Sequence, residues 1–383
     1  MKMSDRVKIV IDNKIPMIKG VLEPFADVEY CSPFDFTKEL VQDKDGLIIR
    51  TRTKCNEELL KGSSVKFIAT ATIGYDHIDT GYCESNNILW MNAPGCNSSS
   101  VMQYIASVIV TLAKKKNFDL KEKTLGVVGV GNVGSKVAKM AERLGLKVML
   151  NDPPRARVEG SAGFVELEEL VEKADIITFH VPLIKEGIDK TFHLADEEFF
   201  EKLKPGKVLI NSSRGAVVSN RALKEAVKKG IISAVVLDVW ENEPDIDREL
   251  LGLVDIATPH IAGYSADGKA NGTAECVRGA RRYFNLGVTP NWYPASVPLP
   301  RNQRQFTIDC TGKSDQQVLT EAVIETYDVM SDDANLRNSI ETFEKQRGSY
   351  PVRREFPFYE VKAANGNKAV ASVLSQLGFG IVE

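Results

Sequence analysis

Leu125-Gly126-Val127-Val128-Gly129-Val130-Gly131-Asn132-Val133-Gly134-Ser135-Lys136-Val137-Ala138 decides how the rest of this chain is read. Gly129, Gly131 and Gly134 spell G-x-G-x-x-G. The apolar residues 125–130 lead in as a buried strand, and Val137, Met140, Ala141 and Leu144 lead out at helical spacing. A second apolar run, residues 147–150, ends at Asp152, eighteen residues past Gly134. Strand, turn, helix, strand and acid in that order make a dinucleotide site. The first glycine permits the turn, the second lets a pyrophosphate approach the backbone, and the third lets helix pack on strand. The helix N-terminus offers open N–H groups and partial positive charge to phosphates. Asp152 stands where a carboxylate binds the adenosine ribose, and its charge favours NAD over NADP. Arg155 is the one nearby residue that softens that preference.

At 383 residues, 43% hydrophobic and 26% charged, the chain has material for two or three domains with sizeable cores. A net charge of −3 gives no broad electrostatic case for nucleic acid or acidic membranes. The N-terminal residues show no signal-peptide pattern, and no apolar stretch reaches the length of a membrane span. Six scattered cysteines without a C-x-x-C fit reduced thiols of a cytoplasmic protein. No two His or Cys fall at metal-ligand spacing, so no metal is expected.

Apolar runs at 7–11, 46–49, 65–71 and 88–91 alternate with helical stretches, the pattern of a parallel α/β sheet. Two of them end in polar loops: Arg50-Thr51-Arg52-Thr53-Lys54, and residues 70–77, which include Thr72 and His77. Ligands of open α/β sheets bind beyond the carboxyl ends of strands, so both loops are candidate substrate loops. Asn92-Ala93-Pro94-Gly95-Cys96-Asn97 breaks the pattern, and a long helix at 99–114 follows. Beyond the glycine motif, strands are expected at 175–179, 207–211, 233–238 and 254–258, with helices at 167–173, 197–202 and 220–229 between them. Another long helix at 267–284 can return the chain to the first domain. Prolines crowd residues 288–302 as a linker, and the last eighty residues read strand, helix, helix, strand, helix, strand. Their elements are expected at 305–310, 315–329, 336–345, 358–362, 368–377 and 380–382. The expected fold is α/β, with two Rossmann-like doubly wound parallel-sheet domains plus a small α+β C-terminal domain. The expected boundaries are 1–94 with 268–288 for the substrate domain, 95–267 for the dinucleotide domain and 289–383 for the tail.

Four segments follow strands on one side of the second sheet: His180-Val181-Pro182-Leu183, Asn211-Ser212-Ser213-Arg214-Gly215, Leu237-Asp238-Val239-Trp240-Glu241-Asn242-Glu243-Pro244, and Pro259-His260-Ile261-Ala262-Gly263-Tyr264. An arginine, an acid and a histidine thus converge near the nicotinamide position, as hydride transfer from a 2-hydroxy acid requires. Arg214 suits two-pronged bonding to a substrate carboxylate. His260 suits taking the hydroxyl proton, because imidazoles titrate near neutrality. Glu243 suits orienting that ring, and Asp238 suits the nicotinamide carboxamide. His77 and His193 lack such company in the sequence.

In these motifs the chain resembles the D-isomer-specific 2-hydroxyacid dehydrogenases, over essentially its whole length. Asn-Ala-Pro-Gly-Cys-Asn at 92–97, Asn-Asp-Pro-Pro-Arg at 151–155 and the run from His260 to Ala270 are similar to one branch of that family, which acts on a phosphorylated 2-hydroxy acid. The C-terminal segment, with Tyr327-Asp328-Val329 and Arg353-Arg354-Glu355, resembles that branch's dimerisation domain. The resemblance implies NAD as cofactor, a homodimer, Arg214 and Glu243 as active-site residues and His260 as proton donor in the reduction direction. It places Thr51, Thr72 and Tyr264 at substrate positions. Asn132, Val133, Asp152, Val181, Ser212, Ser213, Asp238 and Gly263 fall at cofactor positions. Thr51 replaces a serine and keeps its hydroxyl, whereas Val181 replaces a threonine and loses it. Arg50 and Arg52, with Lys54, are cations for the substrate phosphate, and Arg353 or Arg354 of this subunit or its partner is expected to assist. Another family member, such as a phosphoglycerate or glycerate dehydrogenase, stays open as an alternative. So does a non-catalytic NAD(H)-sensing regulator, which would have no need of the Arg214, Glu243 and His260 set.

Overall fold

The computed structural model describes residues 6–366 and 368–382. The chain divides into two compact units. One is the chain up to Asn97 together with Ser265–Leu299, and the other is Ser98–Tyr264 together with the chain from Pro300 onward.

The first unit holds a parallel sheet of β1 (Lys8–Asp12), β2 (Asp27–Cys31), β3 (Gly46–Ile49), β4 (Phe67–Thr70) and β5 (Leu89–Met91), in the order β2-β1-β3-β4-β5. Strands β1, β3 and β4 are buried on both faces, which is why they read as continuous apolar runs. The helix Ala266–Phe284 belongs to one face, where Val277 and Ala280 join Ile9, Ile11, Ile48 and Phe67. On the other face Leu59, Leu60 and Cys83 join Val10, Leu47, Ile49 and Ile68. Strand β2 was not expected from the sequence. It is an edge strand whose Asp27 and Glu29 are exposed, so it alternates instead of forming an apolar run.

The second unit is built on β6 (Thr124–Val128), β7 (Lys147–Asn151), β8 (Ile176–Phe179), β9 (Lys207–Asn211), β10 (Ile232–Leu237) and β11 (Ile256–Ala257). All pair in parallel, in the order β11-β10-β9-β8-β6-β7. The chain steps from β6 outward to β7, then back past β6 to β8, so the sheet reverses direction at β6 and opens a crevice at the carboxyl ends there. Helices Ser98–Lys116 and Asn132–Arg143 contribute Tyr104, Ile105, Val108, Val137 and Ala141 to one core with Leu125 and Val127. Leu170, Phe199, Leu223 and Leu250 build the other core with Ile177, Leu209 and Val235.

From Pro300 the chain adds a parallel three-stranded sheet, β12 (Gln305–Asp309), β13 (Glu360–Ala364) and β14 (Gly380–Ile381), in that order. A capping box between Ser314 and Gln317 starts the helix Asp315–Thr326, which packs on Ser98–Lys116. Val318, Leu319 and Val323 thereby share a core with Tyr104 and Val108. The helix expected at 336–345 lies earlier, at Val329–Asn338, because Asp328 caps it through Met330 N; a short helix, Phe343–Gly348, follows. Among the described residues no helix is long and apolar enough to cross a membrane. All six cysteines are free, five of them buried.

Candidate active site

The glycine motif is formed as its spacing implies. Gly129 turns at φ +86, and a Cβ there would meet the His180 carbonyl at 2.8 Å and Val181 Cγ1 at 2.7 Å. Val181 therefore packs over the first glycine. Gly134 approaches so closely that a Cβ would lie 1.9 Å from Gly129 O. Gly131 instead faces open space, with nothing within 4 Å of a Cβ. It precedes helix Asn132–Arg143 and provides no side-chain cap, so Asn132 and Val133 form a first turn whose N–H groups no side chain covers. That combination fits a dinucleotide pyrophosphate. Asp152 caps the helix Pro153–Glu159, which the sequence reading did not anticipate, through Arg155 N at 3.1 Å, and accepts from Val130 N at 2.8 Å. Its carboxylate is thus tied to the glycine turn. Arg155 is already engaged, with Nε and Nη2 on Glu159 at 2.8 and 2.7 Å and Nη1 on Val130 O at 2.6 Å.

At the end of β9, Asn211 Oδ1 accepts from Ser213 N and Oγ at 3.1 and 2.9 Å, and its Nδ2 bonds Arg214 O at 2.9 Å. Arg214 is half-buried and donates to Ser213 O at 2.9 Å. Ser212 Oγ is buried with no partner among the described residues, an open hydroxyl at an expected cofactor position. A Cβ on Gly215 would fall 2.0 Å from Trp240 O, so the turn after Arg214 is pressed against the segment that leads to Glu243.

Strand β10 leads directly into Asp238, which is 1% exposed. Its carboxylate accepts from Thr258 Oγ1 at 2.6 Å, Ile261 N at 2.8 Å and Ala262 N at 2.9 Å, and its carbonyl accepts from His260 N at 2.7 Å. Expected at the carboxamide, Asp238 is seen to organise the loop that carries His260. His260 stands at φ +55, a left-handed conformation that costs a non-glycine residue about 1–3 kcal/mol unless its surroundings enforce it. Those four hydrogen bonds enforce it. His260 Nδ1 lies 2.7 Å from Glu243 Oε2, and Glu243 Oε1 accepts from Trp240 N at 2.8 Å. Burial alone would raise the Glu243 pKa. The His260 hydrogen bond and charge, the Trp240 N–H and the Arg347 charge together hold it below its ordinary value. An ionised carboxylate only accepts, so Nδ1 is the donor, and in the neutral form of the ring it is Nε2 that carries the lone pair.

Gly263 and Tyr264 close the same loop, with the Tyr264 ring edge-on to Tyr350 at 5.8 Å between centroids. Two features here were invisible in the sequence. Arg347, from the helix Phe343–Gly348, places its charge near Glu243 and Tyr264; burial lowers its pKa, but its electrostatic interactions with Tyr264, Glu344 and Glu243 outweigh that and leave it raised. His193 does have an acidic companion, since its Nε2 lies 2.6 Å from Glu241 Oε1. His180 is held neutral, its pKa pushed down to about 3 by burial.

In the first unit, Arg50, Thr51 and Arg52 follow β3 and Thr72 follows β4, at carboxyl ends as expected. Arg50 Nη1 donates to Lys14 O at 3.3 Å, and Arg52 lies over the Phe34 ring at 5.6 Å. Thr72 Oγ1 donates to Gly74 O at 2.9 Å and is 2.8 Å from Thr70 Oγ1. His77 bonds Thr70 Oγ1 at 3.0 Å, and burial lowers its pKa to about 4, so it is a neutral structural group. In the tail, Arg353 is buried with Nη2 on Ala262 O at 2.5 Å, and Arg354 lies over the Phe358 ring at 4.3 Å. Arg353 is thus not presented to a substrate phosphate; its guanidinium is held inside its own chain.

Residues 103–262 match the family described as "D-isomer specific 2-hydroxyacid dehydrogenase, NAD binding domain", and residues 299–378 match a domain of unknown function. An erythronate-4-phosphate dehydrogenase of Bacteroides fragilis is 52% identical over 93% of this chain and 99% of its own length. The chain belongs to the erythronate-4-phosphate dehydrogenase family. Members of that family from Porphyromonas gingivalis and Escherichia coli are 43% and 41% identical, each over at least 95% of this chain. Among solved structures, D-lactate dehydrogenase of Aquifex aeolicus, complexed with NAD and lactic acid, aligns at TM-score 0.61 and 27% identity over 74% of this chain and 99% of that one. The NAD-bound 3-phosphoglycerate dehydrogenase of Entamoeba histolytica aligns at TM-score 0.63 and 28% identity over 76% of this chain and 100% of that one. The erythronate-4-phosphate dehydrogenase family thus sits within the NAD-dependent D-2-hydroxyacid dehydrogenases.

Proposed function

We propose that the chain oxidises 4-phospho-D-erythronate to 2-oxo-3-hydroxy-4-phosphobutanoate, with NAD as cofactor, in vitamin B6 biosynthesis. The observation that carries the mechanism is the His260–Glu243 pair at 2.7 Å, which leaves Nε2 as a base. Bound NAD supplies the acceptor for the hydride that leaves C2. His260 Nε2 takes the proton from the C2 hydroxyl as the C=O bond forms, and Glu243 stabilises the resulting imidazolium. Arg214 holds the substrate carboxylate. Gly129, Gly131, Asn132 and Val133 hold the pyrophosphate, Gly134 lets their helix pack close enough to do so, and Asp152 holds the adenosine ribose. Val181, Ser212, Ser213 and Gly263 flank the nicotinamide half, while Asp238 supports it through the His260 loop. Thr51, Thr72 and Tyr264 contact the substrate, and Arg50 and Arg52 meet its phosphate. The test is turnover with NAD on 4-phosphoerythronate against 3-phosphoglycerate, with and without 2-oxoglutarate to reoxidise NADH. Preference for 3-phosphoglycerate would overturn the substrate assignment.

Two further expectations arise here. Glu243→Gln removes the charge that favours protonated His260, so the acid limb of the oxidation rate profile should move to lower pH while the maximum rate falls. An unmoved limb in kcat against pH would break the pairing. Asp152→Ser should raise kcat/KM for NADP on the order of tenfold, about 1.4 kcal/mol of relieved repulsion. Because Arg155 is bonded to Glu159, the gain should grow when Glu159→Gln accompanies it. Equal use of NAD and NADP by the unaltered protein would contradict the role of Asp152.

The protein is further proposed to work as a homodimer in the cytoplasm. Six free thiols support the compartment, and sedimentation of the intact chain tests the assembly.

A further inference from the structure

We propose that Arg353 is a positioning residue for His260, bracing from the C-terminal segment the loop that carries the imidazole. The inference rests on the acid/base reading of His260 above. Strand β11 is the two-residue edge of its sheet, and two residues past Thr258 the chain adopts the strained φ of His260. So short a ladder cannot by itself fix a loop that then turns left-handed. Asp238 secures the donors of that loop, Ile261 N and Ala262 N. The acceptor side is secured by Arg353, whose Nη2 donates to Ala262 O at 2.5 Å and also lies 3.4 Å from Ser100 O.

The cost of placing this cation there shows what it is for. Arg353 is 5% exposed, and its Nε and Nη1 are buried without a partner among the described residues. A buried guanidinium with unused donors is expensive, and an apolar side chain would fill the same space without that penalty. The cation is tolerated because its face lies 4.3 Å from the Tyr327 ring and 5.9 Å from that of Tyr350. Both tyrosine hydroxyls donate to Asp332 Oδ2, at 2.8 and 2.7 Å, which puts a carboxylate behind the rings. What the arginine gains beyond this box is the carbonyl two residues after His260. The same segment grips β11 a second time. Asp333 Oδ1 accepts from Ala257 N at 2.7 Å, while Arg337 donates to Leu251 O and Val254 O, both at 2.7 Å. The C-terminal segment therefore holds the His260-bearing edge both before and after the imidazole.

Arg353→Met keeps the aliphatic bulk and removes the donor, and Arg353→Lys keeps charge and a donor. In the full-length protein, Arg353→Met should lower kcat by about 10- to 100-fold through a misplaced base, and Arg353→Lys should recover part of the loss. The decisive comparison is with His260→Asn. If Arg353 acts through His260, Arg353→Met should cost nothing further once the imidazole is gone. An equal loss in both backgrounds, or no loss in the His260 background, overturns the proposal. Should Arg353→Met fail to accumulate, Arg353→Lys carries the same two-background comparison with a smaller expected loss. A His260→Asn enzyme with wild-type turnover would overturn the acid/base reading and this inference with it. A normal His260→Asn loss beside an unaffected Arg353→Met overturns this inference alone.

Discussion

Asparagine in place of His260 should lower turnover of 4-phosphoerythronate by about 10²- to 10⁴-fold, the usual worth of a positioned general base. NADH affinity should be unchanged, because His260 belongs to the loop after β11 whereas the glycine turn and Asp152 belong to β6 and β7. Asparagine is the informative replacement for a backbone reason. His260 sits at φ +55, and asparagine adopts that region more readily than most residues. The Asp238 hydrogen bonds to Ile261 and Ala262 then survive, and the amide retains a donor for Glu243. What disappears is the lone pair that Nε2 offers to the substrate hydroxyl. Rates should be compared where chemistry limits turnover, with an excess of 2-oxo acid to reoxidise NADH. Wild-type turnover under those conditions would remove His260 from the mechanism.

The parts of this site that were legible in the sequence are those whose physics is local. Gly129 to Asp152 could be read because turn, helix start and strand follow one another, each leaving its own period or residue type. Arg214, Glu243 and His260 could be read because each closely follows an apolar run, and parallel runs place their carboxyl ends together. Contacts that close over long separations were not legible. Glu241 meets His193 across 48 residues, and Arg353 meets Ala262 across 91. Nothing in either local sequence announces its partner. Asp238 was expected to end its strand and directly follows β10, but its bonding to the His260 loop depends on how that loop folds back. Strand β2 escaped notice because an edge strand buries only part of each side chain and can carry Asp27 and Glu29. The helix Val329–Asn338 was misplaced because its start is set by the Asp328 cap, which falls inside the helix expected at 315–329.

Two glycines three residues apart in the dinucleotide turn should fail in different ways when each becomes alanine. At Gly134 the added methyl would lie 1.9 Å from Gly129 O and 3.2 Å from Val127 Cγ1. The nearest obstacle is backbone, which has no rotamer to yield, so helix and strand must separate. Overpacking of this kind costs about 1–3 kcal/mol or more, and the thermal midpoint of Gly134→Ala should fall with its activity. At Gly131 a methyl meets nothing within 4 Å. The residue stands at φ −73, which any amino acid adopts. Gly131→Ala should therefore melt like the unaltered protein. It should still lose NADH affinity, on the order of tenfold or more, because the space the methyl enters is where a pyrophosphate approaches the helix N-terminus. Thermal melts and NADH titrations on both variants separate the two effects. Normal NADH binding by Gly131→Ala would mean the pyrophosphate is seated elsewhere. A normal melt for Gly134→Ala would mean the helix can retreat from β6 at little cost.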